Sequence, residues 1–523
     1  MSAALFKVPE RAGRAADVVA AKKANSKSAK SSTVIRGGGG LAAKINAARA
    51  IIEQKLGKYK DDYNIIHDSD TLDKYITACI RNGSISIDTE TTGLDPMRDQ
   101  LVGISIYTPG QNAAYIPIGH KSYITGEAVP GQLLKSEVKA CFSRLEKSDV
   151  RVIMFNAAFD IRVLRHGIGV DIPCSWDCYL ASRCLNENEE HKNLKALYSK
   201  YCTDGNDSIL RFDTLFNGLT FDIVPIKLGY IYASHDAYMT YKLYAFQKPL
   251  LTAEDEECYS RDLQDVAWVF HNIEMPCVPV VVDMEDTGIE LDLSKSAELH
   301  DKYRELLKEK TEAVHNVLTM YEDDILQYRI NNPLNKLSDP ISLNSPQQIA
   351  IVLYDIMGVK AVDKDSPRGT GEKILSKIDN AFTKALLEYR GIQKLIDTYI
   401  DKLPDCVNPV DGRIHCKFNQ YGADTGRFSS SDPNLQNIPS HNKEIRQMFK
   451  ATDGYVLLSS DYSQQEQEFI RVPRWDYVET PDGWRCANKV VVGDILRMSE
   501  NDVTVDVVVR DIIVDCDFIV YYL

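Results

Sequence analysis

At 523 residues the chain is too long for one ordinary domain, so two or three separate cores are expected. A hydrophobic fraction of 44%, a charged fraction of 26% and 29 Gly with 20 Pro match ordinary globular usage, which excludes collagen-like, fibrous and wholly disordered classes. The net charge of minus 14 argues globally against a nucleic-acid partner, yet residues 1–36 hold eight basic and two acidic side chains, so global charge is a poor guide.

No stretch approaches the roughly 18 uninterrupted apolar residues of a membrane span, and the N-terminus lacks the apolar core of a signal peptide. The expectation is a cytoplasmic chain with no membrane partner. Twelve cysteines are scattered singly, and the closest pair, Cys174 and Cys178, lacks the second pair a zinc site needs. They read as reduced thiols.

In chain order, residues 1–40 are rich in Ala, Lys and Ser, end in four Gly and predict a flexible basic tail. Leu41, Ile45, Ile52 and Leu56 stand at helical spacing, predicting a lead-in helix within 41–62. From 63 to about 250 apolar runs alternate with helical stretches. Strands are predicted at 84–87, 101–107, 113–118 and 150–155, giving an α/β domain with a mixed sheet. Beyond 252 long charged helices dominate, notably 294–321, with a loop at 331–345. Strand character returns at 411–418 and 455–461, and the stretch from 467 onward is a β-rich series of Val, Ile and Asp.

The predicted strand 84–87 runs into Asp88-Thr89-Glu90, and residues two apart on a strand share a face, so Asp88 and Glu90 can hold one hard cation. A second apolar strand leads to Asp160. In Tyr232-Ala233-Ser234-His235-Asp236 a helical spacing of four puts the phenol and the carboxylate on one side. Such a set suits two-metal hydrolysis of a phosphodiester. One ion lowers the pKa of a water, the other stabilises the leaving 3′ oxygen, and Tyr232 orients the attacking water. A lone Asp-x-Glu is usually an ordinary loop or capping pair; three such blocks in this order are not.

These blocks resemble the DEDD superfamily of 3′ to 5′ exonucleases with the tyrosine variant of the third motif. The resemblance implies a ribonuclease H-like fold, two divalent metal ions (magnesium or manganese), and Asp88, Glu90, Asp160 and Asp236 as ligands. The histidine variant needs His at position 231, where the chain has Ile231, so His235 is expected to be a structural neighbour. Asp177 and Leu194-Lys195 also sit where proofreading domains have similar residues.

Further on, Thr425-Gly426-Arg427-Phe428-Ser429 leads through Asp432-Pro433-Asn434-Leu435-Gln436-Asn437-Ile438-Pro439. Arg427 can hold a phosphate, while Gln436 and Asn437 offer amides to minor-groove acceptors common to all base pairs. The block resembles family A DNA polymerases, the bacterial polymerase I type that includes many phage replicative enzymes. Asn344-Ser345-Pro346-Gln347-Gln348, Leu387-Glu388-Tyr389-Arg390 and Ile445-Arg446-Gln447-Met448-Phe449 agree with it. Ser459-Ser460-Asp461-Tyr462-Ser463-Gln464-Gln465-Glu466 resembles the first palm motif. By that resemblance Asp461 ligates both metals, the Tyr462 carbonyl completes one coordination sphere, and Glu466 screens against a ribose 2′-hydroxyl. Arg446, with Arg427, belongs to the DNA grip.

Neither the family's triphosphate-binding fingers helix nor its His-Asp-Glu turn follows Glu466 in residues 467–523. Val478-Glu479-Thr480-Pro481-Asp482-Gly483-Trp484 instead looks like the opening of an intein, although residues 467–476 offer no Cys, Ser or Thr nucleophile. Asp506, Asp511, Asp515 and Asp517 alternate with apolar residues and read as solvent-facing strand positions.

The expected layout is therefore a tail (1–40), a lead-in helix (41–62), an α/β ribonuclease H-like exonuclease domain (63–250), a mainly helical linker and thumb (251–410), an incomplete α+β polymerase palm (411–466) and a β-rich tail (467–523). By these resemblances the expected function is that of the N-terminal part of a family A DNA-directed DNA polymerase, a nucleotidyltransferase of DNA replication, with metal-dependent 3′ to 5′ proofreading exonuclease activity, DNA binding and an incomplete polymerase site. Its partners are single-stranded DNA 3′ ends and primer-template DNA, with dNTP only if a second polymerase fragment or splicing supplies the fingers. The rival is a catalytically idle primer-template-binding remnant.

Overall fold

The computed structural model describes residues 40–458 except 204, 206–209, 217, 252–264, 335, 424–425 and 440–441, with 213 described by its backbone alone. Beyond 458 it describes the backbone of seven strands lying between Phe469 and Tyr522. The chain divides into two compact units, residues 1–252 with 270–283, and residues 253–269 with 284–523.

The first unit is built on a six-stranded sheet of β1 (Tyr63–Ile65), β2 (Ser84–Thr91), β3 (Leu101–Tyr107), β4 (Ala113–Pro117), β5 (Arg151–Met154) and β6 (Trp176–Asp177), in the order β1-β4-β3-β2-β5-β6. β2, β3 and β4 form an antiparallel meander, and β5 and β6 continue from β2 in parallel. β3 and β4 are buried almost throughout because helices cover both faces of the sheet. The helix Ile226–Gln247 lies across β1 to β4 on one side, and the helix Ala157–Ile168 packs on β2 and β3. The lead-in helix Leu41–Leu56 inserts Ile45, Ala48, Ile52 and Leu56 into the same core. Burying each such Ile or Leu is worth about 1.5–3 kcal/mol.

In the second unit the helix Leu293–Thr319 starts at the cap Asp292, whose carboxylate accepts the Lys295 N–H at 2.9 Å. It packs along the helix Ala381–Leu395, burying Val314, Leu318, Phe382, Leu386 and Tyr389. A small sheet of β7 (Ile289–Leu291), β8 (Arg413–Ile414) and β11 (Phe449–Lys450) lies over a second core containing Leu299, Tyr303, Tyr399 and Ile445. β9 (Lys417–Asn419) pairs antiparallel with β10 (Ser429–Ser431).

Two expectations change. The predicted strand at 84–87 continues to Thr91, so Asp88 and Glu90 lie within it rather than beyond it. The predicted strand at 455–461 is not formed over its described part: Tyr455, Val456, Leu457 and Leu458 adopt no regular structure and are largely exposed. A ladder needs a partner, and among the described residues none pairs with this segment. No described helix is long and apolar enough to cross a membrane.

Candidate active site

Strand periodicity decides which side chains of β2 meet. Ser86 donates a hydrogen bond to the Ala237 carbonyl at 2.7 Å, so its face of the strand looks toward the helix Ile226–Gln247. Asp88 and Glu90 follow at alternate positions on that same face. Asp236, from that helix, completes a group of three carboxylates whose oxygens lie within 4.8 Å of one another. Gly103 stands opposite Glu90 in the register of β2 and β3, and a Cβ there would fall 2.0 Å from the Tyr115 Oη. The missing side chain makes room for Tyr115, whose hydroxyl is 2.7 Å from Nε2 of His120; the His120 Nδ1–H donates to the Val224 carbonyl at 2.9 Å. Burial holds His120 neutral, its pKa pushed down to about 4.

Lys195 closes the group on one side. Its ammonium donates to Tyr232 Oη and to Asp236 Oδ2, both at 2.7 Å. Burial lowers the Lys195 pKa, but Asp236 and Tyr232 more than offset this and raise it overall. Asp88 is pushed well above the usual carboxylate range by burial, then by Asp160, Asp236 and Glu90; Glu90 is pushed up by burial and Asp236. One ammonium therefore faces several acids. The other oxygen of Asp236, Oδ1, is buried and has no hydrogen-bond partner. An orphaned carboxylate oxygen among clustered hard ligands fits a divalent cation, which would restore the ionised forms.

Asp160 stands apart from that group of three. It lies in the first turn of the helix Ala157–Ile168, and its Oδ1 accepts from the Thr89 N–H at 3.0 Å and the Thr89 hydroxyl at 2.5 Å. Burial raises its pKa to about 7 against these bonds. The carboxylate of Asp177 fixes the start of that helix, accepting from the N–H of Asn156 (3.1 Å) and Ala157 (2.8 Å) while capping the next helix through Tyr179 (2.8 Å) and Leu180 (3.4 Å). Asn156 sits at φ 63, the left-handed turn that aims the helix into the site. His235 takes a structural position: its Nδ1 lies 2.5 Å from Tyr63 Oη within a buried aromatic group, and burial lowers its pKa to about 3. Thr89 and the Tyr115–His120 pair carried no sequence signal of their own.

In the second unit Arg427, Gln436, Asn437 and Arg446 are exposed. Asn434 Oδ1 accepts from the N–H of Gln436 (3.1 Å) and Asn437 (3.2 Å), and the Tyr399 hydroxyl donates to the Asn437 carbonyl, so the loop is held by its backbone and its amides face outward. Arg446 ends a helical turn capped by Asn442. Asp461, Tyr462 and Glu466 lie outside the described residues, as do the side chains of Asp506, Asp511, Asp515 and Asp517 and the stretch 1–39.

Comparison with known proteins places this geometry. Residues 63–251 match the 3′-5′ exonuclease family and residues 302–470 match DNA polymerase family A. The chain is 32% identical over 427 residues to DNA polymerase I of Pseudomonas aeruginosa, covering 77% of this chain and 42% of that protein. It is 30% identical over 423 residues to DNA polymerase I of Chloroflexus aurantiacus, covering 77% and 40%. It thus spans about two-fifths of the length of these relatives. Its fold is similar to the POL domain of Pol1 from M. smegmatis, a complex with DNA primer-template and dNTP, at a TM-score of 0.56 and 20% identity, covering 75% of this chain and 59% of that one. The chain belongs to the family A DNA polymerases, with a 3′-5′ exonuclease domain ahead of its polymerase-family region.

Proposed function

We propose that the first unit removes nucleotides from the 3′ ends of single-stranded DNA by metal-dependent phosphodiester hydrolysis, as a proofreading activity. The observation that carries this is the convergence of Asp88, Glu90 and Asp236 around an orphaned buried oxygen. The meander β2-β3-β4 continued by two parallel strands supports a ribonuclease H-like fold for residues 63–250. Asp88, Glu90, Asp160 and Asp236 would hold two divalent ions, magnesium or manganese. Such ions, when bound, activate a water and stabilise the leaving 3′ oxygen.

Tyr232 orients that water. Its pKa is raised by burial, in spite of Lys195, so it keeps its proton at neutral pH and cannot act as the base. Since its oxygen accepts from Lys195, its O–H remains directed by that bond and can donate to the lone pair of a water. Asp160 reaches a cation by turning away from Thr89 or by using its second oxygen.

Residues 251–410 would serve as linker and thumb and 411–466 as the start of the palm, with residues 467–523 a β-rich addition. Arg427, Gln436, Asn437 and Arg446 would grip primer-template DNA. Asp461, Tyr462 and Glu466 would belong to the nucleotide-transfer site that also takes dNTP. Asp88→Ala or Asp160→Ala should abolish digestion of labelled single-stranded DNA. Equal digestion by wild type and variant would sink the assignment.

A further inference from the structure

Lys195 is in an unfavourable place by every local criterion. It occupies the first turn of the helix Leu194–Cys202, where the helix dipole disfavours a cation, and its side chain is largely buried. Asn193 caps that helix through the Ala196 N–H at 3.0 Å, so the turn is well formed and the ammonium cannot escape by fraying. What holds it is a pair of 2.7 Å bonds to Tyr232 and Asp236, with its Nζ 4.1 Å from the Tyr232 ring centroid. A residue that contradicts its local setting and is held by the site marks a functional constraint.

We propose that Lys195 is a positioning residue and the resident counter-cation of the carboxylate site, tying Tyr232 to Asp236 and, by its own charge, restraining the site's affinity for a divalent ion. This rests on the nuclease reading above and extends it. Without the ammonium, Asp88, Glu90 and Asp236 face one another with no cation to favour their ionised forms, and Tyr232 loses the bond that fixes its hydroxyl. With it, the empty site stays assembled. A divalent ion among the three carboxylates must sit within a few ångströms of the ammonium, and the two cations repel, so loading is weaker and more readily reversed.

The test is a Mn²⁺ titration of the full chain followed by electron paramagnetic resonance, on wild type, K195M, K195Q, K195R and D236N. K195M and K195Q should bind Mn²⁺ about tenfold more tightly, while K195R stays near wild type. Thermal melting should drop for K195M in EDTA and recover with Mn²⁺ by more than the wild type gains. Digestion of single-stranded DNA by K195M at saturating Mn²⁺ should show a lowered kcat with an unchanged KM, because Tyr232 is loosened but DNA contacts are not. If D236N abolishes Mn²⁺ binding while K195M and K195Q leave it unchanged or weaker, the role of Lys195 is overturned and the nuclease reading stands. If wild type shows no Mn²⁺ binding that depends on Asp236, both fall. A K195M chain that does not fold leaves K195Q against K195R to decide the same question.

Discussion

Asp177 is buried, and its two oxygens accept four backbone N–H groups from the starts of two helices, at 2.8 to 3.4 Å. Asp177→Ala leaves those donors without acceptors in a place water does not reach. An orphaned buried donor costs about 1–3 kcal/mol, and loss of an N-cap costs about 0.5–2 kcal/mol. Against this, burial is the largest influence on Asp177 and raises its pKa, so deleting the charge recovers part of its desolvation. The balance is a destabilisation of about 3 kcal/mol, equivalent to a fall in Tm of about 6–12 °C for a unit of this size. Asp177→Asn should cost less, about 1–2 kcal/mol, because an amide oxygen in the place of Oδ1 keeps the Asn156, Tyr179 and Leu180 donors while the NH₂ faces only the Ala157 N–H. Urea unfolding followed by the fluorescence of the adjacent, buried Trp176 reads the change in this unit. Since Asn156 and Ala157 precede Asp160 on the same turn, nuclease activity should fall with stability. An Asp177→Ala chain within 1 kcal/mol of wild type would refute the claim that this carboxylate staples the second acidic block into the site.

Gly103→Ala should destabilise the first unit by about 2–3 kcal/mol, since the added Cβ would meet the fully buried Tyr115 ring and the sheet must shift; unchanged melting would contradict the packing under Glu90. His120 provides a pH test. It is neutral in the fold, with a pKa near 4 against about 6.5 unfolded, so the unfolded chain binds more protons between those values. Stability should therefore fall as pH drops from about 6.5 to about 4, by up to about 3 kcal/mol from this residue. His120→Gln should flatten that slope in urea titrations at pH 7, 6 and 5, and an identical slope would refute the assignment.

The parts of the site that follow a local period were legible in the sequence. Asp88 and Glu90 obey the two-residue repeat of a strand, and Tyr232 and Asp236 obey the four-residue repeat of a helix, so each pair could be placed on one face without knowing the fold. What joins the pairs could not be read that way. Lys195 is 37 and 41 residues from its two partners, and Thr89 is 71 from Asp160. Nothing periodic links such positions; packing of the helix Leu194–Cys202 on the helix Ile226–Gln247 joins the first set, and packing of the helix Ala157–Ile168 on β2 joins the second. The same limit explains the segment at 455–458. Its apolar run satisfies the local preference for a strand, but a strand also needs a neighbour, and that requirement is not written in the run itself.

The central claim is that the carboxylate group is a hydrolytic metal site acting on 3′ ends. Its most direct test is to incubate single-stranded DNA carrying a label in its 3′-terminal nucleotide with the full chain, in Mg²⁺ and in EDTA, and identify the product. The account predicts stepwise release of labelled nucleoside 5′-monophosphate in Mg²⁺, none in EDTA, and none from Asp236→Ala in either. Release that persists in EDTA, or that survives loss of Asp236, would contradict it.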